Sequence, residues 1–505
     1  MQIEQLPVPF AAVGAGSVGG PANLADLIGA RAVERPDAPA LAEPGPASLR
    51  LTWSQLDRRV DAVAAGLNTL GLLAGQRLAL LGVNSAAFVV AYFAALRAGV
   101  VVVPLNPQSS PDEVAAMVAD SGARALLTDS STTAGVRVLP LSEAGLDALA
   151  ATGSASASVS SPRDAESLAV LLYTAGTSGR PKAAMLTHRA LLAHVEHLQR
   201  LAVLSPEDTV LASLPLFHVF GLNAVLGSWV GSGARMVVTD GYPTGLPALI
   251  RAEHVTNLPL APPTLHRLLA EEDLGDGLGE LATVVSGAAP LPDELARRFR
   301  ERTGLVVEQG YGLTEAAPGV TATFGSSLAG PGHVGRPLPG VEVRVGDGSD
   351  PGEPGEIAVR GDNLFSGYWP DGRDGPDDEG WFATGDIGYL EDGELFLVDR
   401  ARELVIVNGF NVYPAEIEQV IMELPEVDAV AVVGRPDART GEQVVAFVQG
   451  EAVTAEGVEQ HCARRLARFK RPVEVAVVER LPRGATGKIR KGELRERILV
   501  QQEPA

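Results

Sequence analysis

From residue 51 to residue 240 the chain alternates short β-rich runs with segments of helical period. This alternation limits the fold more than any other feature. "RLALLG", "RALLTD", "AVLLYT", "TVLASLP" and "ARMVVT" read as strands, and "ATVVSGAA" continues the series further on. "LTWSQLDRRVDAVAAGLNTLG", ending near Gly71, and "LPDELARRFRERTG" read as helices. Strands separated by helices pair in parallel and carry the helices on their faces, which makes the chain an α/β protein. "ATGSASASVSSP" at 151–162 is expected to be a loop within this series, because the same pattern resumes after it.

Beyond about residue 330 the texture changes. Gly, Pro and Asp crowd in "DGSDPGEPGE" and "DGRDGPDDEG", between strand-like "VEVRVGD", "GEIAVRG" and "GELFLVDR". Tight turns between strands predict a β subdomain. After "VDRAREL" come a helix "AEIEQVIMEL", strands "DAVAVVG" and "QVVAFVQG", another helix and the strand "VEVAVVERL". These suffice for a separate α+β unit, so the expected division is 1–400 and 401–505.

The most apolar stretch, "AAFVVAYFAALRAGVVVVP", is broken by Arg97 and Gly99. It predicts a buried helix, a glycine stop and a buried strand, and no integral membrane segment. The opening "MQIEQLPVPF" has no basic region before an apolar run, so a cytoplasmic location is expected. Of 505 residues 41 are basic and 62 acidic, a net charge of −21 that argues against nucleic acid as a partner. It does not argue against a small anion, which needs only local positive groups. Cys462 is the only cysteine, which excludes a disulfide framework; it is read as a packing residue on a C-terminal helix.

"LLYTAGTSGRPKAAMLTHRAL" at 171–191 has the rhythm of a phosphate-binding loop. Thr174, Gly176, Thr177, Ser178 and Gly179 offer hydroxyls and exposed N–H groups, Lys182 a compact charge, and a following helix its N-terminal dipole. It is not the nucleotide-triphosphatase loop, because Lys182 follows Pro181 and precedes Ala183. Three more stretches stand out. "EQGYGLTEAAP" carries Tyr311, Gly312, Thr314 and Glu315; "GWFATGDIGYLEDGELFLVDRARELVIVNGFNVYP" carries Asp386, Arg400, Arg402 and Gly409; "LPRGATGKIRKGELR" carries Lys488. Taken singly each has an ordinary structural reading: a turn aspartate, a solvated carboxylate at a helix start, a core tyrosine, a lysine in a basic tail.

Together, in this order, the four motifs resemble the adenylate-forming superfamily: acyl-CoA synthetases, firefly-type luciferases and adenylation domains of peptide synthetases. The resemblance spans nearly the whole chain. It implies that ATP is attacked at its α-phosphorus by a carboxylate, that pyrophosphate leaves, and that the acyl-adenylate then passes its acyl group to a thiol such as CoA. It further implies that Thr177, Ser178 and Lys182 line the β- and γ-phosphates and that Tyr311 stacks on adenine opposite Gly287, Ala288 and Ala289. Thr314 is implied to bind the α-phosphate, Glu315 to take Mg²⁺, and Asp386 and Arg400 to hold the ribose. Lys488 is implied to meet the α-phosphate and the attacking carboxylate together. His218, in "LPLFHVFGLN", is implied to border the acyl pocket and ATP site, its ordinary reading being a satisfied core histidine. Arg402 stands at the family's hinge position; the resemblance implies that the small domain turns about it between half-reactions, exchanging Lys488 for the 403–411 region, with "NGFN" helping to wall a pantetheine tunnel. The chain departs from the pattern at Ala175, Ala183 and Ile406, the last where some relatives have a lysine.

"ELVIVNGFNVYPAEIEQVI" with "LPLFHVFGLN" looks most like bacterial fatty-acid–CoA ligases. Val219, Phe220, Gly221 and Leu222 after His218 provide no cation for a second carboxylate, so a medium- or long-chain fatty acid is the expected substrate. An aryl-acid–CoA ligase, a fatty acyl-AMP ligase serving a carrier protein, and a nucleotide-binding protein with a degenerate site are the alternatives. The oligomeric state stays open, a homodimer among the options.

Overall fold

The computed structural model describes residues 20–500 apart from 46–47, 131–134, 154–163, 175–180, 347–351, 401–404, 408–409, 438–440, 467 and 485–487. It divides into two compact units. The first runs to Ala212 and includes Leu216–Gly241 and Phe365–Arg373. The second comprises Ser213–Pro215, Tyr242–Leu364 and the chain from Asp374 onward.

In the first unit, strands Arg137–Leu139, Ala125–Thr128, Arg77–Leu81, Val101–Leu105 and Leu168–Thr174 lie side by side in parallel. Lys182–Thr187 adds an antiparallel edge. The remaining strands of this unit, Thr209–Ala212, Arg235–Val238 and Pro39–Glu43, are parallel, with Leu49–Thr52 antiparallel beyond. The expected helix, stop and strand are present as Ala86–Arg97, Gly99 at φ 72° and Val101–Leu105. All twelve helix residues are buried, as an apolar surface on every side requires. Arg97 at its end keeps its charge by pairing with Asp57 at 2.8 Å and Asp61 at 2.6 Å, since a buried cation left alone is strongly destabilising. Trp53 begins the helix Trp53–Thr69, capped by Thr52 and Gln55, and stacks on Trp229 at 5.1 Å. The segment 151–162 is described only through Gly153; its remainder lies outside the described residues.

Helix His188–Arg200 turns His188 and His194 inward. Leu24 N–H donates to His188 Nδ1 at 3.2 Å, which requires a neutral acceptor there. Burial pushes His188 down to about 4, against the opposing pull of Asp164, and His194 to about 3, where His197 adds to the effect. Both groups titrate near 6.5 when unfolded. Between that pH and about 4, therefore, the unfolded chain binds protons that the native chain refuses, and stability falls as pH falls. The expected loss is about 2 kcal/mol per histidine at pH 5 relative to pH 8. Urea denaturation at the two pH values checks it, and the pair His188→Gln/His194→Gln should flatten that part of the profile.

In the second unit one run of strands proceeds in the order Glu342–Val345, Gly355–Arg360, Phe382–Glu391, Glu394–Arg400, His333–Pro337, Gly319–Ala322, Val307–Gly312, Thr283–Ser286 and Asn257–Leu260. The last three are parallel and the rest antiparallel. The β-rich part past residue 330 thus pairs onto the parallel strands through Gly319–Ala322.

The C-terminal part forms its own sheet. Ala429–Asp437 and Gly441–Gln449 form its longest antiparallel pair, with Glu474–Val477 parallel to the latter. Alternate residues face opposite sides. Val430, Val432, Val444 and Val448 pack with Ile417, Ile421 and Cys462 from helices Pro414–Met422 and Ala455–Arg465. Ala431, Val433, Val445 and Phe447 pack under Leu494 and Ile498 of Lys491–Val500. Cys462 is 1% exposed and burial raises its thiol to about 11, so it is the inert packing residue expected. Among the described residues no helix is long and apolar enough to cross a membrane.

Candidate active site

In the second unit, three parallel strands deliver their carboxyl ends to one edge, where ligands bind in open α/β sheets. Thr283–Ser286 leads into Gly287, whose N–H donates to Leu260 O at 3.2 Å, and then Ala288 at φ 67° and Ala289. Val307–Gly312 ends with Tyr311, 9% exposed, whose hydroxyl donates to Asp386 Oδ2 at 2.6 Å. Asp386 is half-buried on the strand Phe382–Glu391, its own N–H donating to Thr384 Oγ1 at 3.1 Å. Thr384 in turn donates to Ile357 O at 2.9 Å, so the backbone that carries the carboxylate is held in place. Asp386 and Arg400 are direct cross-strand partners. Two residues 75 positions apart, chosen from sequence for adenine and ribose, are therefore hydrogen-bonded to each other.

After Gly312 the chain makes a tight turn back into Gly319–Ala322. Thr314–Ala316 form one 3₁₀ turn, and Ala317 is left-handed at φ 60°. Leu313 N–H closes the base by donating to Pro318 O at 3.0 Å. A Cβ at Gly312 would lie 2.1 Å from that same oxygen, so no other residue fits. The half-buried Thr314 and Glu315 are carried on this turn.

In the first unit, Leu168–Thr174 and Lys182–Thr187 form an antiparallel pair with Thr174 opposite Lys182. The expectation that a helix follows the phosphate loop directly is corrected here. The loop joins two strands, and the helix begins only at His188, six residues past Lys182. Among the described residues, the segment directly after Lys182 is strand and offers no helix N-terminus. The alternation of Ala183, Ala184, Met185 and Leu186 is too apolar to separate strand from buried helix by period alone. Gly176, Thr177, Ser178 and Gly179 lie outside the described residues, as do Arg402 and Gly409. Thr174 Oγ1 donates to Lys182 O at 3.4 Å.

Sequence reasoning missed Tyr368. Residues 366–369 run along the outer edge of Lys182–Thr187, with Ser366 N–H donating to Met185 O and Trp369 N–H to Ala183 O. Tyr368 thereby places its ring 5.0 Å from Lys182 Nζ, a cation–π distance. The aromatic cluster "FSGYW" was the available signal.

His218 is half-buried, and its Nδ1 accepts the Phe220 N–H at 3.3 Å, which leaves Nε2 as the protonated nitrogen of the neutral ring. It precedes a six-residue π-helical segment, Phe220–Val225, a distortion frequent at functional sites. Lys488 is exposed in the small C-terminal domain, where Arg483 bridges Ile489 and Gly484 N–H donates to Lys488 O at 2.7 Å.

A family model described as AMP-binding enzyme matches residues 29–369, and one described as AMP-binding enzyme C-terminal domain matches 416–488. The chain is 36% identical over 486 residues to a feruloyl-CoA synthase of Amycolatopsis sp, covering 93% of this chain and 97% of that protein. It is 34% identical over 534 residues to a long-chain-fatty-acid–CoA ligase of Salmonella typhimurium, covering 94% of each. The crystal structure of ATP-bound MatB from Rhodopseudomonas palustris superposes with a TM-score of 0.88 at 31% identity, over 94% of this chain and 98% of that one. With family models over most of its length and relatives matched nearly end to end, the chain belongs to the AMP-binding enzymes of the adenylate-forming superfamily, in its acyl-CoA ligase branch.

Proposed function

We propose that this protein is an ATP-dependent, AMP-forming acid–CoA ligase acting on a monocarboxylic acid with a hydrophobic body. The observation that carries the reading is the Tyr311–Asp386 hydrogen bond at the carboxyl ends of parallel strands, in a chain of this family. A stacking ring joined to a carboxylate suits a nucleoside, with adenine on Tyr311 and ribose hydroxyls on Asp386.

In the proposed reaction the acid's carboxylate attacks the α-phosphorus of ATP. A new P–O bond forms, the bond to the β-phosphate bridge breaks, and pyrophosphate departs. The CoA thiolate then adds to the acyl carbon and AMP leaves with the C–O bonding pair. Both partners in the first step are anions, so a cation meeting both is the main electrostatic requirement, and Lys488 fills that role. Lys182 steadies the phosphates of the leaving group, its ammonium held over the Tyr368 ring. Thr314 donates to the α-phosphate. Glu315 suits Mg²⁺: among the described residues no group of three or more His, Cys, Asp or Glu forms a metal cage, and this ion characteristically takes one or two carboxylates with substrate phosphates and water. When bound, the ion supplies positive charge to the phosphate oxygens.

The small domain with its boundary after residue 400 turns about Arg402 between the two steps, exchanging Lys488 for the 403–411 region. The separate sheet beginning at Val405 supports such a division.

For the acid, the apolar neighbours of His218 support a medium- or long-chain fatty acid, and the long-chain-fatty-acid–CoA ligase relative agrees. A hydroxycinnamate or related aryl acid is the second reading, favoured by the slightly higher identity of the feruloyl-CoA synthase. One panel tests both: ATP–pyrophosphate exchange with C2 to C18 fatty acids, benzoate, a hydroxycinnamate and malonate, with and without CoA. Expected is exchange with an apolar monocarboxylate and CoA-dependent AMP release. Selective turnover of malonate overturns the substrate reading, and ADP in place of AMP overturns the reaction.

A further inference from the structure

Asn363 is fully buried, and neither the phosphate, ribose nor adenine role requires it. Its Nδ2 donates to Ala316 O at 2.6 Å and to Gly319 O at 2.9 Å. Both acceptors are carbonyls, so the amide nitrogen must face them, and both of its protons are used. The two carbonyls stand on either side of Ala317 and Pro318, where the Thr314–Ala316 turn bends back into the next strand. On the opposite flank the turn is held by Leu313 N–H on Pro318 O and by the close approach of Gly312 to that oxygen. One side chain from a distant segment thus clasps both arms of the bend that carries Thr314 and Glu315.

We propose that Asn363 is a positioning residue for adenylation. By fixing the bend from behind, it sets where the Glu315 carboxylate and the Thr314 hydroxyl stand. The proposal rests on the reading of these two residues as the metal and α-phosphate groups. Asn363 is fully buried and acts through the turn whose two carbonyls it holds. Only an uncharged side chain with two donors serves: a carboxylate here would face two carbonyl oxygens across a dry contact, and an aliphatic chain would leave both without a donor. Partners that orient a metal ligand typically change metal affinity or activity by about 10–100-fold when removed.

The test uses the full chain in four forms: wild type, Asn363→Leu, Glu315→Gln and the double variant. Measured are the Mg²⁺ concentration for half-maximal ATP–pyrophosphate exchange, the exchange rate at saturation, adenosine affinity by calorimetry and the thermal midpoint. Asn363→Leu is expected to raise the Mg²⁺ requirement about tenfold and to lower the exchange rate by about 10–100-fold. Adenosine affinity should hold within about twofold, because Tyr311 and Asp386, read as the adenine and ribose partners, are held by their own hydrogen bond and adenosine lacks the phosphate assigned to Thr314. On the Glu315→Gln background the same change should cost several-fold less than on the wild type, since of the two groups it positions only Thr314 remains. Equal losses on both backgrounds, or a lower rate at an unchanged Mg²⁺ requirement, overturn the proposal. Should Asn363→Leu not fold, Asn363→Ser, with one hydroxyl donor, takes its place in the same comparison, and equal losses on both backgrounds again overturn the proposal. A wild type that gives no exchange with any acid overturns the ligase reading itself, a result distinguishable from additive losses in an active enzyme.

Discussion

Lys488→Ala is expected to lower adenylate formation by about 10²–10³-fold, while CoA still converts preformed acyl-adenylate to thioester at close to the wild-type rate. The reason is electrostatic. In the first half-reaction a carboxylate approaches a phosphate that is itself anionic, and a positive group aimed at both lowers the barrier most where their charges converge. In the second half-reaction the attacking group is a thiolate and the leaving group AMP, and the proposed turn of the small domain takes the lysine out of the way. Lys488 stands exposed in the small domain, consistent with a group that is used in one step and withdrawn in the next. Arg402→Pro should give the opposite split, sparing adenylate formation and damaging thioester formation, because it stiffens the proposed pivot. Single-turnover measurements with ATP and acid, and separately with synthetic adenylate and CoA, resolve the two. Equal losses in both half-reactions for either variant count against the exchange of residues proposed here.

Asp386→Ala is expected to raise the KM for ATP by about 10²-fold, with a matching loss of AMP affinity. Hydrogen bonds to a charged acceptor are worth about 1.5–3 kcal/mol each, and a carboxylate that holds the ribose takes more than one. The substitution also removes the acceptor of the 2.6 Å hydrogen bond from Tyr311, the ring proposed to stack on adenine. Tyr311→Phe keeps the ring and removes only that tether, so its effect should be smaller, about five- to tenfold. In the double variant Tyr311→Phe should add little to Asp386→Ala, because the tether has already lost its acceptor. A fall in kcat at unchanged KM would be hard to reconcile with a ribose-holding role.

Several elements were legible in the sequence for simple reasons. The run Ala86–Arg97 is apolar on all sides and is followed by Gly99 and a valine-rich strand, so burial and boundaries could both be read. The valines of Ala429–Asp437 and Gly441–Gln449 likewise read as strands, and they line the two layers of the small domain. Tyr311 and Asp386 could be chosen as nucleoside residues because their motifs are specific, but their direct hydrogen bond could not be foreseen. It depends on how strands 75 residues apart come into register. The segment after Lys182 was misread because "KAAMLT" is short and apolar, and what makes it a strand is its pairing with Leu168–Thr174. Asn363 and Tyr368 carry no local signal of their roles. One acts through two carbonyls some 45 residues away and the other through a lysine nearly 190 residues earlier.

What the chain determines by itself is the order of its elements and the chemistry of its four motifs, because periodicity, glycine stops and charged side chains act locally. The tertiary structure alone decides which of those residues touch, through strand register and long-range backbone hydrogen bonds. Placing the Gly/Thr/Ser-rich segment before Lys182 between two strands, tying Tyr311 to Asp386 and clasping the Glu315 turn with Asn363 are its contributions.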